Sequence, residues 1–90
     1  MKTIKYVMDL PIENFELSVR CMNCLKNVNI KTLSDLTAKN EEDFSKIRNM
    51  GKTSIGLIKD LVNSLGMCFS MTNLDWLQWG LMNKEWILSH

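Results

Sequence analysis

The stretch Ile47-Arg48-Asn49-Met50-Gly51-Lys52-Thr53-Ser54 decides how the rest of the sequence is read. Upstream of it, Asn40 stands as an N-cap before Glu41-Glu42-Asp43-Phe44, and three acids in a first turn suit the positive end of a helix dipole. Phe44 and Ile47 supply that helix's apolar contacts. Downstream, Ile55, Ile58, Leu61 (or Val62) and Leu65 recur on one side of a helix over about residues 52–65, and Gly66 stops it at C′. The stretch is therefore a hairpin between two helices. Glycine has no Cβ, so the backbone at Gly51 can come close to a phosphate. The second helix then aims its unpaired N–H groups and dipole at the anion, and Lys52 and the Ser54 hydroxyl add donors. An ordinary turn between helices with a solvated lysine has the same pattern, and the stretch alone leaves the two readings level.

Gly51-Lys52-Thr53 is not a nucleotide-binding P-loop. That motif needs a glycine five positions before Gly51 and a preceding strand, and Lys46 stands there in a helical context. What the hairpin does match is the helix-hairpin-helix, which holds a nucleic-acid backbone without reading bases.

Outward from the hairpin the sequence reads as short helices. Ser18 caps a segment in which Val19, Met22 and Leu25 or Cys24 recur at helical spacing. Thr32 and Asp35 form a capping-box pattern opening residues 33–38, with Leu33 and Leu36 inward. Pro11 separates residues 3–10, read as extended, from this helical body. The tail, residues 72–90, is expected to be one further helix capped by Thr72 or Asn73. Leu74, Leu77, Leu81 and Leu88 form one stripe along it, and Trp76, Trp79 and Trp86 lie roughly opposite. The expected fold is all-α: a compact bundle of four short helices containing the hairpin, plus the Trp-rich C-terminal helix. The domain limits are 1–11, 12–71 and 72–90.

Ninety residues make one small domain, with 46% hydrophobic and 23% charged residues, which argues against disorder. No apolar run is long enough for a membrane span and no signal core is present, so a cytoplasmic protein without a membrane partner is expected. The net charge is only +1, yet eight basic residues (Arg20, Lys26, Lys31, Lys39, Lys46, Arg48, Lys52, Lys59) face four acids between positions 20 and 59. The middle of the sequence is a local basic region. Three cysteines, with Cys21 and Cys24 one helical turn apart, favour reduced thiols. Zinc would need Cys68 and the terminal His90 to complete four ligands, so no metal and no cofactor is expected. With His90 the only histidine, nucleophilic catalysis is poorly provided for and the protein is not read as an enzyme on its own.

Taken in order, Glu16-Leu17-Ser18-Val19-Arg20, Asn23-Cys24-Leu25-Lys26, Ile30, Leu33, Leu36, Glu41-Glu42-Asp43 and Arg48-Asn49-Met50-Gly51-Lys52-Thr53-Ser54 resemble the C-terminal domain of the bacterial RNA polymerase alpha subunit. The resemblance covers roughly residues 10–71. It implies a four-helix fold that binds double-stranded DNA in A·T-rich minor grooves upstream of promoters, in the bacterial cytoplasm with the nucleoid. It also implies partners: sigma factor, transcription activators and RNA polymerase itself. Residue by residue, Arg20 matches the arginine placed in the minor groove, Asn23 and Cys24 match its neighbours, and Lys26 lies on the same helix. Asn49, Gly51, Lys52 and Ser54 match the hairpin and the start of the last helix. Thr53 departs from the pattern, which has a second basic residue there. Glu16 matches an acid used toward sigma, and Asn14 replaces another.

The ends depart too. Residues 1–9 are unlike the family's flexible tether and the tail has no recognised counterpart, so a free-standing relative is expected. The tryptophan face of the tail, Trp76, Trp79 and Trp86, is read as a partner contact or homodimer surface, because tryptophan is enriched at interface hot spots. The competing reading folds the tail back to complete the core. An adaptor of the same fold with little DNA affinity is the alternative function.

Overall fold

Four of the helices begin where a side-chain oxygen takes up a first-turn N–H. The computed structural model describes residues 3–90, in which seven α-helices and one 3-10 turn succeed one another. They are α1 (Ile4–Met8), the turn (Ile12–Asn14), α2 (Val19–Asn27), α3 (Leu33–Thr37), α4 (Glu41–Ser45), α5 (Lys52–Ser64), α6 (Asn73–Met82) and α7 (Lys84–Ser89). Ser18 accepts the Cys21 N–H at the start of α2. Reciprocal capping boxes open α3 (Thr32 with Asp35), α4 (Asn40 with Asp43) and α6 (Thr72 with Asp75). No strand forms among the described residues; one isolated bridge joins Pro11 to Thr32.

At the start of α3, burial pushes the Asp35 carboxyl up. The Lys31 and Thr32 N–H groups, the Thr32 hydroxyl and the Lys39 charge outweigh it, so the net shift is downward. A depressed folded pKa adds stability above the ordinary carboxylate range, and this is lost as pH falls through the folded value. Asp35→Asn is therefore expected to cost about 0.3–1 kcal/mol at neutral pH. Urea titrations of the two proteins should converge in acid.

The α5 helix closes on Gly66, whose φ of +72° a side chain would strain. The Met67 N–H reaches the Val62 carbonyl and the Gly66 N–H the Asn63 carbonyl, both at 3.0 Å, and Val62 and Met67 are buried together. This is the Schellman arrangement. The core runs through Val7, Ile12, Leu25, Leu33, Leu36, Phe44, Ile58 and Val62, all fully buried. Phe69 packs on Phe44 with ring centroids 5.5 Å apart.

Three expectations are corrected. Residues 3–10 are not extended: Ile4, Val7 and Met8 sit at helical spacing, and α1 places Val7 in the core and Ile4 against Gly80 of α6. Val19 is 77% exposed, because at the first position of α2 the inward face is already taken by Cys21, Cys24 and Leu25. The tail is not one helix. The Asn83 side-chain amide donates to the Trp79 carbonyl, which an unbroken helix would give to the Asn83 N–H, and α7 restarts with Ile87 N–H on the Asn83 carbonyl.

The tail also packs opposite to the interface reading. Trp76 and Trp79 are each 4% exposed and Trp86 is half-buried, so they complete the core. The Trp79 indole N–H donates to the Leu65 carbonyl at 2.7 Å, and Trp76 and Trp86 meet Trp79 edge-on. His90 stacks on Trp86 at 4.0 Å, and its carbonyl accepts from the Tyr6 hydroxyl at 2.6 Å. The leucine stripe, not the tryptophan stripe, faces outward.

Candidate nucleic-acid interface

The α2 helix reaches the hairpin through its two cysteines. The Cys24 thiol donates to the Asn49 carbonyl at 3.6 Å and the Cys21 thiol to the Ser54 carbonyl at 3.9 Å. These contacts set α2 against both the hairpin and the first turn of α5. Burial pushes the Cys21 thiol up and the neighbouring Cys24 adds to it, while the contact with Ser54 opposes; the net shift is upward. The thiol therefore keeps the proton it donates. Cys24, which the resemblance groups with Arg20 and Asn23, is itself 7% exposed and meets the hairpin from beneath.

Arg20 and Asn23, one turn apart on α2, are exposed beside that junction. Asn49, Gly51 and Lys52 are exposed on the hairpin. Asn49 has a φ of +68°, a left-handed turn that asparagine tolerates better than most residues. Gly51 begins α5 without a side chain, so the N–H groups of Lys52, Thr53 and Ser54 have no capping oxygen from it. A Cβ at Gly51 would meet nothing within 4 Å, and its φ is −92°. The fold does not require glycine there. Ser54 is 7% exposed, so it serves the first turn mainly through its backbone.

The charges sort themselves. Among the described residues, ion pairs engage Lys5 with Asp9, Lys26 with Glu13, Lys46 with Glu42 and Lys59 with Glu41. Arg20, Arg48 and Lys52 take part in none of these. Lys26, which the sequence groups with the site, is drawn to Glu13 at 3.3 Å. Arg48, directly before Asn49, is exposed at the hairpin as well. No group of His, Cys, Asp or Glu able to hold a metal ion occurs among the described residues. None of their helices is long and apolar enough to cross a membrane.

Residues 2–64 match the family model for the C-terminal domain of the bacterial RNA polymerase alpha chain. The DNA-directed RNA polymerase subunit alpha of Mycoplasma mycoides is 44% identical over 62 residues, 69% of this sequence and 20% of that protein. The same subunit of Salinibacter ruber is 35% identical over 78 residues, 87% of this sequence and 24% of that protein. The protein described here thus spans about a fifth to a quarter of the length of these relatives. Among solved structures, the NMR structure of the C-terminal domain of the Helicobacter pylori RNA polymerase alpha subunit superposes with a TM-score of 0.66 at 32% identity. That match covers 94% of this protein and 74% of the other. With a matching sequence over residues 2–64 and a matching helical fold, the chain belongs to the family of bacterial RNA polymerase alpha C-terminal domains.

Proposed function

We propose that this domain is a DNA-binding transcription module that docks on A·T-rich minor grooves upstream of promoters. Arg20 enters the groove, where the narrow A·T geometry concentrates negative potential. Asn23 and Asn49 flank it. Lys52 and the first-turn N–H groups of α5 hold the phosphate backbone, and Gly51 leaves room for it to approach. The observation that carries this reading is the pair of thiol contacts that lock α2 to the hairpin, with Arg20, Arg48 and Lys52 exposed around the junction. Glu16 is exposed just before α2, where its carboxylate is available to sigma factor. The domain itself is non-catalytic in this reading, and RNA polymerase and activators are its larger partners.

The test is a titration of A·T-rich and G·C-rich duplexes at several salt concentrations. Wild type is expected to prefer the A·T-rich duplex, with non-specific affinity of roughly 10⁻⁴–10⁻⁶ M at physiological salt. Lys52→Ala should weaken both duplexes about equally and reduce the salt slope by about one. Wild type binding neither duplex would overturn the proposal and leave a protein-interaction adaptor of the same fold.

A further inference from the structure

The loop between α5 and α6 carries the run Met67-Cys68-Phe69-Ser70-Met71. Met67, Cys68 and Met71 line one cavity of about 410 Å³, and Asp75, Trp79 and Met82 of α6 line it from the other side. Phe69, between them, packs on Phe44 instead. Cys68 is exposed, Met71 half-buried and Met67 buried. We propose that the Cys68 thiolate and the Met67 and Met71 thioethers bind one copper(I) ion at this cavity.

The donor set selects the metal. Thiolate and thioether sulfurs are soft donors that suit copper(I), whereas magnesium and calcium take oxygen. Zinc takes four ligands from thiolate, imidazole and carboxylate. The cavity wall offers one thiolate, and its one carboxylate is engaged: Asp75 Oδ2 accepts the Thr72 N–H at 2.9 Å in the capping box of α6. No group of His, Cys, Asp or Glu able to hold a metal ion occurs among the described residues, so the thioethers have to complete the set. On binding, the Cys68 thiol gives its proton to solvent and its sulfur donates a lone pair to the metal. No electron is transferred.

The fold pins the loop at both ends. The Gly66 and Met67 N–H groups donate to the Asn63 and Val62 carbonyls, and the Ser70 and Met71 N–H groups to those of Lys39 and Thr37, all at 3.0 Å. The three sulfur-bearing residues therefore sit on one short, fixed segment, and binding has less ordering left to do. Met82 borders the same cavity at its far side. Ten residues of helix, Asn73–Met82, set it about 15 Å from the Met71 end. A metal–sulfur bond is about 2.3 Å, so Met82 shares no ion with Met71. The cavity lies past the C-terminal end of α5 and the hairpin precedes its N-terminal end, so the result does not depend on DNA binding.

The test is an anaerobic titration of copper(I) into the whole protein against a chromophoric copper(I) chelator, with tryptophan emission followed in parallel because Trp79 lines the cavity. Wild type should withdraw one ion per molecule from the chelator and lose emission as it does so. Cys68→Ser should bind roughly a hundredfold more weakly, and Met67→Leu and Met71→Leu each about tenfold, all with wild-type circular dichroism. Met82→Leu should bind as wild type does. Wild type that leaves the ion with the chelator overturns the proposal. So does Cys68→Ser binding as tightly as wild type, which would put the ion on the buried Cys21 and Cys24. Wild-type affinity in both Met67→Leu and Met71→Leu overturns it too, since the cysteine would then bind without the thioethers.

Discussion

Trp79→Ala should lower the stability of the domain by about 3–5 kcal/mol, the range for truncating a large buried aromatic. The ring is 4% exposed and meets Trp76 and Trp86 edge-on. Its indole N–H also caps the Leu65 carbonyl, one of the last acceptors of α5 that the helix leaves unpaired. Removing the ring opens a cavity and strips that carbonyl of its partner together. For a domain of this size, each kcal/mol moves the melting temperature by about 4–8 °C, so a fall of roughly 12–40 °C is expected. Leu77→Ala, on the outward face of the same helix, should change stability by no more than about 0.5 kcal/mol. Thermal melts followed by circular dichroism compare the two. Equal, small effects would mean that the tail does not belong to the core.

The second large effect is on binding. Arg20→Ala is expected to weaken the A·T-rich duplex by about 1–3 kcal/mol, roughly fivefold to 150-fold, with a smaller loss on the G·C-rich one. The guanidinium is exposed and in none of the ion pairs among the described residues, so its removal should leave the melting temperature unchanged. That separation is the diagnostic feature. A variant that binds both duplexes as wild type does would remove Arg20 from the interface, whatever its fold.

Much of the helical frame is legible in the sequence because it rests on local chemistry. Ser18, Thr32, Asn40 and Thr72 cap their helices by accepting N–H groups three residues on, and Gly66 ends α5 through bonds within its own last turn. Arg20, Asn23, Asn49, Gly51 and Lys52 follow from the hairpin and the family pattern, and all five are exposed near one junction. What escapes the sequence depends on distant partners. Hydropathy marks both sides of α6 as apolar; the Leu65 carbonyl, fourteen residues from Trp79, and the packing of Ile4 on Gly80 go with burial of the indole side. Cys21 and Cys24 read as ordinary helix cysteines because the carbonyls they reach lie 33 and 25 residues away. The short α1 is hidden because its burial depends on α3 and α6, far along the sequence.

The placement of the three indoles has a spectroscopic consequence. All of them lie in the tail, at the end of α5 remote from the hairpin. Intrinsic fluorescence therefore watches one end of the molecule only. Duplex added at the other end should leave the emission spectrum where it was, and any shift it did produce would measure how far a binding event travels along a single rigid rod.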